Sequence, residues 1–469
     1  MAPLDPAICW EAIYTRDPRF DGRFFAAATT TGLYCRNVCP VPFARPRNIV
    51  LFACAAAAEA AGFRPCKRCQ PQAAPGTPAW IGTSAVVSRA LRLILGGALN
   101  EGSVEQLADR LGLGSRQLRR LCVQHLGVSP VKIATTQRLH LARKLIYESK
   151  LPMTEIAFHS GFKSIREFNH AFRAAIGQSP SQLRLAKGAS RAIAPQRGLE
   201  LRLPYRTPFD WQSLLAFLEQ RAIPGIERVS GNVYQRTIEI DGARGFFTAK
   251  PDETEPRLLV HLELSSYEAM PQAVERIRRI FDLGADPARI AKHLSQDPKL
   301  RPSVQLHPGL RVPGVWDGFE GAVLAVLGQT LGAPGPKRVM ARLVRMFGSP
   351  IQSPVGGLNR LFPTPEALAA GDLSKAGIAQ GCVPALRKLT RATVRQHLRF
   401  ATPTTLDEAV AELAAVNGIN ESTAHYVVMR AFGEPDAFPV EGLAPAETER
   451  WRPWRAYAAL HVKHGGQSR

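Results

Sequence analysis

Cys35-Arg36-Asn37-Val38-Cys39 and Cys66-Lys67-Arg68-Cys69 form two short-spaced cysteine pairs, C-x3-C and C-x2-C, with 26 residues between them. Two thiol pairs brought together by a fold suit one tetrahedral Zn2+, whose Zn–S bonds are about 2.3 Å. A module this small gains from a metal staple because its own core is small. The other four cysteines, Cys9, Cys54, Cys122 and Cys382, are scattered along the chain. A disulfide framework would be out of place in a reducing cytosol, so the cluster reads as metal or catalytic chemistry. On spacing alone, a closed structural ribbon and a reactive zinc–thiolate site both stay open.

The rest of the chain fits a protein that meets a polyanion. Its 469 residues predict three or four domains. With 45% hydrophobic and 21% charged residues, wholesale disorder is excluded. Sixty Lys+Arg against 39 Asp+Glu leave +21, which points to nucleic acid. No apolar run reaches the ~18 residues a membrane span needs, and Met1-Ala2-Pro3-Leu4-Asp5 opens no secretory signal. The expected compartment is the bacterial cytoplasm, on the nucleoid.

The residues around the thiols narrow the reading. Phe20-Asp21-Gly22-Arg23-Phe24-Phe25, Thr29-Thr30-Thr31-Gly32-Leu33-Tyr34-Cys35-Arg36 and Ala60-Ala61-Gly62-Phe63-Arg64-Pro65 lead into the two pairs. Over residues 9–72 the chain resembles the N-terminal module of the Ada-type methylation-response regulators. That resemblance implies one Zn2+ on Cys35, Cys39, Cys66 and Cys69, with Cys35 accepting a methyl group from DNA methylphosphotriesters. Thiolates held by zinc stay nucleophilic without a general base. By position Thr31 and Arg64 contact phosphate in that family, and Lys67 and Arg68 would hold the DNA backbone beside them. For Thr31 and Arg64, plain surface is the alternative. Asn37 stands where the family commonly has Pro.

Gln70 to Pro78 has no periodicity and marks a boundary. From Thr83 to Lys187 apolar residues recur at three- and four-residue spacings, with 16 Lys+Arg against 6 Asp+Glu. Val104–Gly112 reads as a short helix ending in a glycine turn, and Ser115 as the N-cap of the helix that follows. The unit recurs at Met153–Phe162 and Ser164–Asn169, with a connecting helix through Arg138 to Tyr147 holding the two apart. This segment resembles the AraC-type double helix-turn-helix. Arg116, Gln117 and Arg120 in the first recognition helix, and Arg166 and Asn169 in the second, would reach bases or phosphates in successive major grooves. A solvated basic face is the alternative for any one of them.

After a small, basic linker at Gly188–Gly198, Thr237–Ile240, Gly245–Thr248 and Leu258–Val260 read as strands, with a turn at Asp241-Gly242. Pro308–Glu320, Phe362–Leu368 and Arg450–His461 extend a resemblance to AlkA-type 3-methyladenine DNA glycosylases over nearly all of 199–464. The resemblance implies a glycosylase fold, but three places depart from the pattern. The helix-hairpin-helix turn, Pro-Gly-Ile-Gly in the family, is Asn417-Gly418-Ile419-Asn420. Asn tolerates left-handed backbone, so the hairpin is expected to form with Gly418 as its candidate DNA contact, although loss of the second glycine opposes close approach to a phosphate. The Leu327-Gly328-Gln329 helix runs into glycines and prolines through Pro336, which disfavour regular helix there. The position of the catalytic Asp, after Ala437-Phe438-Pro439, is Gly442. Glu441 is one residue off, a rotation of about 100° on a helix, and is a weak substitute. Asp436 reads as a turn residue. Trp211, Trp316 and Phe319 are candidates for a damaged-base pocket or for plain core.

The expected fold is multidomain, α+β and mainly α. It has an Ada-like zinc domain (1–78), an AraC-type double helix-turn-helix (83–187), an AlkA-like N-terminal α+β domain (199–310) and a helix-hairpin-helix glycosylase-like domain (311–469). The leading reading is an alkylation-damage-responsive repair protein and transcriptional activator. Cys35 takes the methyl group in a single-turnover methyltransferase step, and the charge lost there favours tighter promoter binding. The 3-methyladenine glycosylase domain is impaired in base excision. Double-stranded DNA is the partner, with RNA polymerase a further one. Two helix-turn-helix units in one chain allow a monomer. Two alternatives stay open: a bifunctional protein with an active N-glycosidic base excision hydrolase, and a non-enzymatic zinc-containing transcription factor.

Overall fold

The computed structural model describes residues 6–17, 20–66, 68–69, 71, 85–148, 151–186, 198–266, 269–331, 335–376, 378, 382–395, 398, 400, 406–416, 418–440 and 442–466. The chain divides into two compact units, Met1–Thr207 with Asp252–Glu275, and Pro208–Pro251 with Arg276–Arg469.

The first unit opens with helix α1 (Pro6–Tyr14) and strands β1 (Phe25–Ala28), β2 (Leu33–Arg36), β3 (Ile49–Phe52) and β4 (Arg64–Pro65), ordered β3-β1-β2-β4. β1 is antiparallel to β2 and β3, whereas β2 and β4 are parallel. Parallel neighbours need a crossover, which β3 and helix α2 (Ala55–Ala60) supply. Cys9, Ala12 and Ile13 of α1 pack on Phe24 and Ala26, so Cys9 belongs to the core.

Helices α3 (Ala85–Leu95), α4 (Ala98–Glu101), α5 (Val104–Asp109), α6 (Ser115–Leu126), α7 (Pro130–Glu148), α8 (Met153–His159), α9 (Ile165–Ile176) and α10 (Pro180–Ala186) follow. The pairs α5/α6 and α8/α9 are the two repeated units seen in the sequence, and the 19-residue α7 joins them. Leu118, Cys122 and Leu126 form the buried stripe of α6, and Phe168 and Phe172 that of α9. Ser164 caps α9 through Glu167 N–H. Ser103 and Gln106 form a capping box on α5. The expected cap on α6 moves by one residue. Extended Gly114 (φ −73°, ψ 145°) is the N-cap, and Ser115 is already helical. Strands β5 (Leu199–Pro204) and β9 (Arg257–Leu264) pair antiparallel.

In the second unit β6 (Glu227–Ser230), β7 (Val233–Ile240) and β8 (Ala243–Pro251) form an antiparallel meander. The β7–β8 turn is Asp241-Gly242, both at positive φ (48° and 81°), the conformation a two-residue hairpin prefers. Trp211, Tyr234, Phe247 and Phe281 stack as an aromatic core, with Trp211–Phe281 and Tyr234–Phe281 centroids each 5.5 Å apart. The helices of the C-terminal half are α11 (Trp211–Arg221), α12 (Met270–Ile280), α13 (Pro287–Leu294), α14 (Arg301–Leu306), α15 (Gly318–Leu331), α16 (Gly335–Phe347), α17 (Pro365–Ala370), α18 (Cys382–Val394), α19 (Leu406–Ala414), α20 (Glu421–Phe432), α21 (Pro445–Glu449) and α22 (Arg455–Gly466). Of the stretch expected to interrupt helix after Thr330, Leu331 still belongs to α15 and Gly335 and Pro336 to α16, and residues 332–334 lie outside the described ones. Among the described residues no helix is long and apolar enough to cross a membrane.

Candidate metal centre and DNA-binding faces

The parallel register of β2 and β4 is what joins the two thiol pairs. Tyr34 stands opposite Pro65, and Cys66 N–H donates to Tyr34 O at 3.0 Å, so Cys66 follows directly beside Cys35. Cys39 lies in the turn after β2, where its N–H donates to Arg36 O. The four Sγ atoms of Cys35, Cys39, Cys66 and Cys69 all lie within 4.8 Å of one another. A tetrahedral set around zinc has sulfur–sulfur edges of roughly 3.8 Å, so a small contraction closes it. Arg36 braces the cluster. Its backbone N–H donates to Cys69 Sγ (3.4 Å), and its guanidinium donates to Cys69 O and pairs with Asp21.

The chemistry of the donors matches a cation. Hydrogen bonding to Cys39 and Cys69, with burial, pushes the Cys35 thiol far up, while accepting those bonds pulls Cys39 far down. Four crowded sulfurs cannot all ionise unless a divalent charge sits among them. Zinc is the cofactor this cluster holds. Cys39, Cys66 and Cys69 are buried, whereas Cys35 is half-buried.

Asn37, which departs from the family's common Pro, is fully buried. Its Nδ2 donates to Asp17 O (2.7 Å) and Ala12 O (3.3 Å), which ties the thiol turn to α1. Thr31 is exposed in the β1–β2 turn beside Gly32, whose carbonyl accepts from Arg64 N–H (2.8 Å). Arg64 and Arg68 are also exposed, and Lys67 lies outside the described residues.

On α6, Arg116, Gln117 and Arg120 are exposed on the side away from its buried stripe; on α9, Arg166 is exposed and Asn169 half-buried. Among the described residues Arg116, Arg120 and Arg166 make no ion pair, whereas Arg119 pairs with Glu105 at 2.9 Å.

Of the hairpin turn in the glycosylase-fold unit, Gly418–Asn420 are described and Asn417 lies outside the described residues. Gly418 is left-handed (φ +105°), and a Cβ there would meet Ala385 Cβ at 2.7 Å. Asn420 is not left-handed but extended (φ −81°, ψ 167°). Its Oδ1 caps α20 by accepting from Thr423 N–H (2.8 Å). Gln329 then binds the turn from α15. Its Oε1 accepts from Thr423 Oγ1 (2.8 Å) and Asn420 N–H (3.3 Å), and its Nε2 donates to Gly418 O (3.4 Å). Amides that a free hairpin would offer to phosphate are thus met inside the protein.

Gly442 is exposed at φ +84°, and a Cβ there would meet nothing within 4 Å. Glu441 lies outside the described residues. Asp436 is engaged, its Oδ1 with Arg455 Nε (2.8 Å) and its Oδ2 with Arg452 Nη1 (2.6 Å). Trp316 and Phe319 line a cavity of about 330 Å³ with Arg236, Arg276, Phe362 and Phe400, a lining that includes neither Gly418 nor Gly442. Trp211 stands apart from it, against Phe209 and Phe281, with Nε1 donating to Asn232 Oδ1 (2.6 Å).

Sequence reasoning passed over four residues. Tyr34, Glu59, Thr136 and His140 meet in one buried polar cluster. They lie up to 106 positions apart, and no local pattern announces them.

A four-thiol metal module, paired helix-turn-helix units and a helix-hairpin-helix glycosylase fold define a DNA-binding protein that combines a regulator's parts with a repair protein's. Three family descriptions match in the same order: Metal binding domain of Ada at residues 8–72, Helix-turn-helix domain at 107–186 and AlkA N-terminal domain at 200–317. A Mycobacterium tuberculosis protein named "Probable bifunctional transcriptional activator/DNA repair enzyme AlkA" is 38% identical over 97% of this chain and 95% of its own length. DNA-3-methyladenine glycosylase 2 of Escherichia coli is 30% identical over 55% of this chain and 95% of its own. The Escherichia coli protein named "Bifunctional transcriptional activator/DNA repair enzyme Ada" is 30% identical over 37% of this chain and 48% of its own. The chain belongs to the family of bifunctional transcriptional activator/DNA repair proteins in which an Ada-type regulator is fused to an AlkA-type glycosylase fold.

Proposed function

We propose that the protein senses alkylated DNA by taking a methyl group onto Cys35 and answers by binding promoter DNA more tightly. The observation that carries this reading is the unequal burial of the four clustered cysteines, of which Cys35 is half-buried and the other three are buried. Bound zinc keeps the four thiols deprotonated at neutral pH. Cys35 Sγ attacks the methyl carbon of a methylphosphotriester. The S–C bond forms as the O–C bond breaks, and the electron pair leaves with the phosphodiester oxygen. No proton moves. The thioether cannot return the methyl, so each molecule reacts once.

The sulfur loses its negative charge, which lowers repulsion against DNA phosphates. Thr31, Arg64, Lys67 and Arg68 hold the damaged backbone, and Arg116, Gln117, Arg120, Arg166 and Asn169 read the promoter. The bound protein acts there on RNA polymerase, as a monomer, since one chain supplies both reading helices.

The glycosylase-fold unit binds DNA with little or no base excision. Gly442 supplies no carboxylate for the developing oxocarbenium charge, and Asp436 is held by two arginines. Mass spectrometry after incubation with methylphosphotriester DNA tests the reading. One methyl, about +14 Da, is expected on the peptide holding Cys35. An unmodified peptide would remove the sensor claim and leave zinc as scaffold.

A further inference from the structure

Cys35 and Tyr34 are neighbours on β2, so their side chains leave opposite faces of the strand. Cys35 joins the thiol cluster, and Tyr34 is fully buried on the other side. Tyr34 OH donates to Glu59 Oε1 at 2.8 Å. Glu59, on α2, is also reached from α7: Thr136 Oγ1 donates to its Oε2 (2.8 Å), and His140 Nε2 lies 3.2 Å from its Oε1. Thr136 and His140 are four residues apart and face the carboxylate together. The Glu59 side chain is only 4% exposed, so water cannot take over these bonds.

α7 is the helix between the two reading units. α2 joins it to the first of them as well. Ala56 lies in the same core cluster as Leu118, Cys122 and Leu126, and Cys54 Sγ donates to Leu126 O (3.4 Å). A second contact runs from β4 to the other unit. A Cβ placed on Gly177, the C-cap of α9, would meet the Arg64 guanidinium at 3.1 Å. The strand that carries the acceptor is therefore packed, with no solvent gap, to the helix that sets the spacing of α6 and α9.

We propose that Glu59 is a positioning residue that transmits the state of Cys35 to α7 and so sets how the two recognition helices present themselves to DNA. This rests on the methyl-acceptor reading above. A methyl group at Cys35 adds volume and removes charge on β2. Tyr34 can follow only by moving Glu59, and Glu59 only by moving Thr136 and His140.

The test uses the full chain and a duplex selected from random sequence by the methylated wild-type protein. Wild type, Glu59→Gln and Thr136→Val are each measured for methyl uptake by mass and for duplex affinity before and after methylation. Both variants should take up methyl like the wild type and bind the duplex alike before it. The gain on methylation should fall about tenfold in Glu59→Gln and less in Thr136→Val. A purely structural role would lower methyl uptake and starting affinity together. If Glu59→Gln fails to fold, Thr136→Val decides, since it removes one hydrogen bond at nearly constant volume. A wild-type gain kept by the variants overturns the coupling alone. A wild type with no adduct overturns the acceptor reading and the coupling with it, and an adduct with no gain keeps the acceptor reading and overturns the coupling.

Discussion

On the proposed reading the thiol module and the glycosylase-fold unit both carry the frame for a reaction on DNA, and they differ in what stands at the reacting position. In the first, β2 and β4 deliver four sulfurs to one point and leave Cys35 the least buried of the four cysteines. In the second, Gly418, its Gln329 brace and the helices around them are in place, and on the proposed reading the carboxylate position is held by Gly442. A fold is held by many dispersed contacts and survives the loss of any one side chain, whereas its chemistry hangs on a few atoms. The hairpin shows the same tolerance. Asn420 replaces a glycine and still caps α20.

The largest effect that would break this contrast is loss of the metal. Chelation, or Cys69→Ala, should unfold the β1–β4 module, with protease cleavage appearing within residues 20–66 while the second unit resists. Structural zinc is worth roughly 10 kcal/mol to a small module. An unchanged proteolysis pattern would make the thiol cluster dispensable.

Next in size is the glycosylase chemistry. The full chain should release no free 3-methyladenine from alkylated DNA, and Gly442→Asp should release some. The space at Gly442 admits the side chain, but φ +84° costs a non-glycine residue about 1 kcal/mol, so recovery will be partial. Base release by the unmodified chain would instead make both units active.

For the reading helices, Arg116→Ala, Arg120→Ala and Arg166→Ala should each weaken duplex binding. Where the contact is to phosphate, each lowers the slope of log K against log salt by about 1. A substitution that leaves both affinity and slope unchanged marks that arginine as solvated surface.

The smallest effects are titrations of opposite sign in the two units. Burial opposes ionisation of Glu59, but bonds from His140, Tyr34 and Thr136 outweigh it and hold the carboxyl below its ordinary value. Its stabilisation is present above the unfolded carboxylate value and is lost as pH falls through the lower, folded one. Asp282 is the reverse, with burial raising it to about 6. Stability from that site is complete below about pH 4 and declines as pH rises toward 6. Asp282→Asn, keeping an acceptor for Tyr457 OH and Val312 N–H, should stabilise the second unit at pH 7 by on the order of 1 kcal/mol, and not at pH 4. Equal denaturation midpoints for wild type and variant at pH 7 would remove that account.

Local signals carried far in this chain. The C-x3-C and C-x2-C pairs, the repeated helix–glycine–helix units and the Asp241-Gly242 turn are each written within a few residues. The structure places each one as read. Ser115 shows the limit even there, because its cap position is taken by Gly114, and two adjacent small residues cannot be ranked without backbone geometry. Trp316 and Phe319 share a cavity while Trp211 does not, a distinction that aromatic character alone could not make.

What the sequence by itself determined is the inventory: the four clustered cysteines, the two repeated helix units, and a glycine at position 442. Covalent order and spacing decide those. Tertiary structure decided that Cys35 is the least buried of the four cysteines, that Asn420 caps rather than turns, and that Tyr34 meets Glu59, Thr136 and His140 in one cluster. Burial and hydrogen bonding between residues far apart in the chain exist only once the parallel β2–β4 pairing and the α2–α7 packing have formed, so no local reading could have contained them.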